Sequence, residues 1–129
     1  MSKTLKFMNY RDFKSIKVDP YNEDELYKVI SNKGVLLYLS DEDITNIPKE
    51  CFTKKIIDKL TANGKHIIAL YMMNVISDQE IESYFRNNYK LFRIGIANNK
   101  KQFGFKDLPK DIAERCKIAC LQNLDDSLI

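Results

Sequence analysis

Polar and apolar positions between residues 53 and 94 fall into one arrangement written twice. A polar cap opens each copy, a short amphipathic helix follows, Gly or Asn interrupts it, and a brief apolar segment closes the unit. The first copy runs from Thr53 through Ile56, Ile57 and Leu60 to Asn63-Gly64 and then Ile67-Ile68-Ala69-Leu70. The second runs from Ser77 through Ile81, Tyr84 and Phe85 to Asn87-Asn88 and then Leu91-Phe92-Arg93-Ile94. Apolar pairs four positions apart, Ile56 with Leu60 and Ile81 with Phe85, place two anchors on one helical face. Ser77 with Glu80 three residues on reads as a capping box.

The flanking sequence extends the arrangement. Asn22 with Glu25 predicts a helix start, Glu23 and Asp24 suit the positive end of its dipole, and Leu26, Val29 and Ile30 form its stripe. Gly34 predicts its left-handed stop. Residues 35–39 are apolar throughout and occupy the place of 67–70 and 91–94, so all three are expected to be the short second helices of helix pairs. Residues 40–48 form a connector in which Asp41, Glu42 and Asp43 start a turn that Ile47-Pro48 ends. Asp107 is expected to cap the last helix, with Pro109 in its opening turn, a stripe of Ile112, Cys116, Ala119 and Cys120, and an end near Asn123. In residues 1–20, Leu5, Phe7 and Tyr10 fit a short strand or a loose helical turn, while Phe13 and Ile16 fit a helical face. Short helical turns are expected for this leading segment, closed by Asp19-Pro20. Residues 124–129 are expected to fray.

The first anchors of the helices, Leu26, Ile56, Ile81 and Ile112, are spaced by 30, 25 and 31 positions. Helix pairs that stack and cover one another's apolar faces repeat at such intervals. The expected fold class is all-α: short helix-pair repeats stacked into a small bundle or solenoid, in one domain over residues 1–129, with helical units across 22–122.

Composition narrows the function. A hydrophobic share of 44% and a charged share of 30% are globular values, and 129 residues suffice to bury one core without disulfides. The 21 basic and 18 acidic residues are interleaved, and a net charge of +3 makes no strong case for nucleic acid. Cys51, Cys116 and Cys120 read as buried thiols in a reducing compartment. The first ten positions do not resemble a signal peptide, and no apolar run approaches the roughly 20 residues needed to span a membrane. A location in cytosol, that of the maker or of a host, is expected.

Candidate chemistry is sparse. His66, the only histidine, excludes a His-pair metal site and is expected at a helix surface or partly buried. Cys51, Cys116 and Cys120 lie in no nucleophile motif that would join it in a dyad. Glu80 and Glu82, or Asp41, Glu42 and Asp43, sit where helix starts favour negative charge. The glycines Gly34, Gly64, Gly95 and Gly104 are isolated and form no phosphate loop. No catalytic, cofactor-binding or metal-ligating residue is predicted, and no enzyme.

Protein binding is the expected function. Candidate contact residues are Tyr71, Met72, Met73, Tyr89, Arg93, Lys100, Lys101 and Phe103, which combine adaptable methionine with the tyrosine and arginine that carry interface energy. An uncovered end unit would also support a homodimer. The alternative is a single-stranded nucleic-acid module using the basic and aromatic segment 93–110, where Arg93, Lys100, Lys101, Lys106 and Lys110 surround Phe103 and Phe105.

The cadence of Ile47-Pro48, a helix after Thr53, Asn63-Gly64, the apolar 67–70 and a further helix after Leu108-Pro109 resembles the degenerate helical repeats of Legionella effector proteins. The resemblance covers residues 22–122. Within that group, the short inhibitors of ubiquitin-deamidating and transglutaminating effectors are similar in size and make-up. The resemblance therefore implies a chain that binds and restrains a partner effector enzyme, although no inhibitory residue maps onto this sequence.

Overall fold

Alternation, not helical spacing, governs the start of the chain. In the computed structural model, which describes residues 4–62, 64–87 and 103–127 with side chains of the last helix through Gln122, strand β1 (Leu5–Asn9) pairs antiparallel with β2 (Lys14–Val18). The register runs from Leu5 opposite Val18 to Asn9 opposite Lys14. Phe7, Asn9 and Val18 are buried on one face, while Lys6, Met8, Ser15 and Lys17 are exposed on the other. The expected all-α class is therefore overturned. The fold is mostly helical, but it is mixed, with a two-stranded sheet where helical turns were expected.

Turn chemistry decides this. Asn9 Oδ1 accepts the backbone N–H groups of Arg11 and Asp12 at 3.0 and 3.3 Å, and its amide donates to Asp12 Oδ2 at 3.1 Å. That side chain stands in for backbone and reverses the chain. The loop closes with Phe13 in the left-handed region at φ 54, and the residue is 82% exposed. A bulky non-glycine residue held there costs about 1 kcal/mol or more.

Helix α1 (Glu23–Ser31) starts as expected, with the Glu25 N–H donating to Asn22 Oδ1 at 3.1 Å. The Glu25 carboxylate does not close a capping box. It accepts the Asp19 N–H at 3.0 Å and ties the exit of β2 to α1. Gly34 is not the stop. Asn32 ends α1, accepts the Gly34 N–H at 2.9 Å and opens α2 (Lys33–Leu36). Glycine is needed at 34 for close approach: Tyr10 N–H donates to its carbonyl at 3.0 Å, and a Cβ there would fall 1.9 Å from Asn9 Oδ1. The backbone of α2 thus lies directly against the end of β1.

Ser40 and Asp43 form a reciprocal capping box on α3 (Asp41–Ile44). After a 3-10 turn at Lys49–Cys51, Thr53 caps α4 (Lys54–Thr61), and Gly64 at φ 76 supplies the left-handed break that follows. Next come α5 (Ile67–Met72) and α6 (Asp78–Asn87), the latter opened by the expected box, with Glu80 N–H donating to Ser77 Oγ and Ser77 N–H to Glu80 Oε1. The Asp107 carboxylate accepts the Gly104 N–H at 2.8 Å and closes a 3-10 turn at Phe105–Asp107, so it does not cap α7 (Lys110–Ser127). Helix α7 also runs past Asn123, through four of the positions expected to fray.

All four anchors, Leu26, Ile56, Ile81 and Ile112, are buried in one core with Ile30, Ile44, Leu60, Ile67, Leu70, Phe85 and Cys116. Helix α1 packs on α4, α3 on α5, α5 on α6, and α6 on α7. Of the expected short second helices, α5 covers 67–70, α2 takes in only Val35 and Leu36 of 35–39, and residues 91–94 lie outside the described residues. Glu82 bonds Arg115 and Arg86 at 2.7 and 2.9 Å and joins α6 to α7. Its carboxyl is held below the usual range, first by the Arg115 hydrogen bond. Among the described residues no helix is long and apolar enough to cross a membrane.

Two substitutions test the hairpin. Phe13→Gly relieves the left-handed backbone and removes little packing, so urea unfolding should show a gain of about 0.5–1 kcal/mol. Gly34→Ala should cost about 1–3 kcal/mol through overpacking. In an Asn9→Ser background the same change should cost measurably less, because the atom it strikes is gone.

Candidate functional site

The residues singled out from sequence separate into two groups. Tyr71, Met72 and Met73 lie at the end of α5, and Phe103 precedes the 3-10 turn before α7. Tyr89, Arg93, Lys100 and Lys101 lie outside the described residues.

Helix α5 ends in a turn that the sequence specifies locally. Met73 N–H donates to Ala69 O at 3.0 Å, Asn74 N–H to Tyr71 O at 2.9 Å, and Val75 N–H to Leu70 O at 2.9 Å. Asn74 takes φ 61, and asparagine tolerates that left-handed position after a helix better than most residues. Ser77 then starts α6. The two helix ends enclose an open groove with Tyr71 and Met72 on one side, Asp78, Gln79 and Glu80 on the other, and Pro109 at its edge. Ile76 is buried beneath it.

Met72 is 42% exposed in this groove. Tyr71 is half-buried, and its hydroxyl donates to Asp78 Oδ1 at 2.6 Å. That hydrogen bond, with burial and the nearby carboxylates, pushes the phenol up to about 12. The tyrosine is therefore a fixed neutral donor, and the groove offers an exposed apolar side chain beside the exposed carboxylates of Asp78 and Glu80. Met73 does not join it. That side chain is half-buried against the core.

Phe103 is held through its backbone, with its N–H donating to Asp41 Oδ2 at 2.8 Å. The same carboxylate meets the histidine that the sequence leads one to expect at a helix surface or partly buried. His66 Nδ1 lies 2.8 Å from Asp41 Oδ1, with side-chain exposures of 2% and 7%. A carboxylate only accepts, so Nδ1 carries the proton. His66 sits at φ 65 immediately before α5, and the pair fastens the start of α3 to the start of α5. Its Nε2 is buried as well, which keeps the ring away from solvent. Asp41 was read from sequence as helix-start charge, and its buried partner 25 positions later was missed. The pairing depends on packing, which a pattern of caps and stripes does not report.

Burial governs the thiols. Cys51, Cys116 and Cys120 are all buried, and burial pushes Cys116 and Cys120 up to about 11, the neighbouring thiol adding to the effect at Cys116. A thiol with that pKa carries almost no thiolate near neutrality. Among the described residues no cluster of His, Cys, Asp and Glu is arranged to hold a metal ion.

The buried pair gives a stability prediction. His66→Ala leaves the Asp41 carboxylate in the core without its imidazole and should cost about 3–5 kcal/mol in urea unfolding. Asp41→Asn keeps an acceptor for the Phe103 N–H and should cost less, about 1–3 kcal/mol. Comparisons of the chain with protein families, curated proteins and solved structures gave no match.

Proposed function

We propose that this chain is a non-enzymatic protein-binding module that engages a partner through the groove between α5 and α6. The observation that carries the reading is the exposed Met72 beside the fixed Tyr71–Asp78 pair. An unbranched thioether adapts to the shape of what it meets, and a tyrosine locked by its own hydrogen bond loses little entropy on contact. Asp78 and Glu80 at the opposite wall suit a partner that brings an apolar residue flanked by Lys or Arg. The partner is an enzyme restrained by occlusion of its surface. Taken with the resemblance of residues 22–122 to Legionella effector repeats, that enzyme is an effector acting on ubiquitin.

The reading is tested by placing a photocrosslinking phenylalanine analogue at position 72 and, as a control, at the exposed Lys54. Irradiation in extract of the producing organism should give one predominant protein adduct at 72 and none at 54. The recovered partner, assayed as an enzyme, should be slowed by the wild-type chain, and Met72→Arg should require about tenfold more protein for the same effect. Adducts with nucleic acid in place of protein, or a partner inhibited equally by both chains, would overturn the proposal.

A further inference from the structure

The hairpin carries a second surface, one whose cations have no ion-pair partner among the described residues. Residues 5–18 hold Lys6, Arg11, Lys14 and Lys17 against the single carboxylate of Asp12, a net +3 equal to that of the whole chain. Lys6 and Lys17 lie directly opposite each other in the strand register. Like charges in that position destabilise a sheet. None of the four cations forms an ion pair among the described residues. An anionic group seated between the two lysines would remove a repulsion that folding alone retains.

Beside these charges β1, with Ser15 of β2, borders a cavity of about 170 Å³. Apolar Phe7, Val35 and Leu39 share its lining with polar Lys6, Ser15 and Asp43, and its Met8 and Tyr38 are each 41% exposed. Tyr10 steadies Tyr38, the two rings lying 5.1 Å apart and tilted at 43°. Since a dry cavity of about 150 Å³ holds one benzene-sized group, the volume fits a single aromatic or branched side chain. It is too small for successive nucleobases, and the Asp43 carboxylate in its wall keeps an occupant's own carboxylates out of the cavity and at the lysines beside it.

We propose that this hairpin face docks an acidic peptide segment, one apolar side chain entering the cavity and flanking carboxylates meeting Lys6 and Lys17. The surface is separate from the α5–α6 groove, and its occupant has the opposite charge.

Fluorescence anisotropy with labelled peptides of Glu and Asp around one central residue, either Phe or Ala, provides the test. The Phe peptide should bind about tenfold or more tightly than the Ala peptide, and added salt should weaken both. Lys6→Glu with Lys17→Glu should abolish binding while the thermal melt is retained. Ser15→Phe, an exposed strand position lining the cavity, should erase the preference for Phe but keep the salt-sensitive remainder. Met72→Arg should bind the peptides as the wild type does, so failure at the groove would not be mistaken for failure here. Equal affinity for the Phe and Ala peptides, no binding of either, or tighter binding of oligothymidylate than of the Phe peptide would overturn the proposal.

Discussion

A buried carboxylate sets the terms for the middle of this molecule. Asp41 cannot remain in a dry core without donors, and the chain supplies them from distant places: the imidazole of His66 on one oxygen and the backbone N–H of Phe103 on the other. Meeting that demand fixes where α5 begins, because His66 must adopt a left-handed backbone to bring its ring inward. It also fixes where the chain arrives before α7. Hydrophobic burial provides most of the driving force for collapse, but it is not directional. The hydrogen bonds to Asp41 select which of many greasy arrangements of α3, α5 and the 103–108 region is kept.

The parts of the fold that were legible in the sequence are those decided within four or five residues. Caps at Asn22, Thr53 and Ser77 and the stripes they precede follow from backbone groups that any helix start must satisfy, so their residues announce them. The hairpin was misread for the complementary reason. Its period-2 signal covers only three inward positions on β1 and two on β2, and the deciding residue is Asn9, whose amide replaces backbone in the turn. Gly34 was misread because its use is tertiary: the missing side chain makes room for Asn9, and no local dihedral signal marks that. His66 stands between Lys65 and Ile67 and gives no local sign of burial. Tyr71 and Met72 are candidate contact residues from their side chains alone, but the hydrogen bond of Tyr71 to Asp78 depends on the turn at Asn74 that folds α6 back beside it.

The two proposed surfaces differ in kind. The α5–α6 groove is open, with carboxylates on one wall and an adaptable thioether on the other, a combination suited to a convex and basic partner. The hairpin face is cationic and adjoins a cavity of one side chain's size, which favours a single inserted residue over broad shape matching. Neither uses the buried imidazole, which is bonded to Asp41, or the buried thiols.

The bond from Phe103 to Asp41 spans 62 positions, and this separation matters during synthesis. While the ribosome has released the chain only as far as α5, the acid of α3 already has its imidazole but lacks the later amide donor. The amino-terminal portion is therefore expected to sample open forms until the 103–108 region emerges, so that tight closure of this half is timed by the arrival of the other.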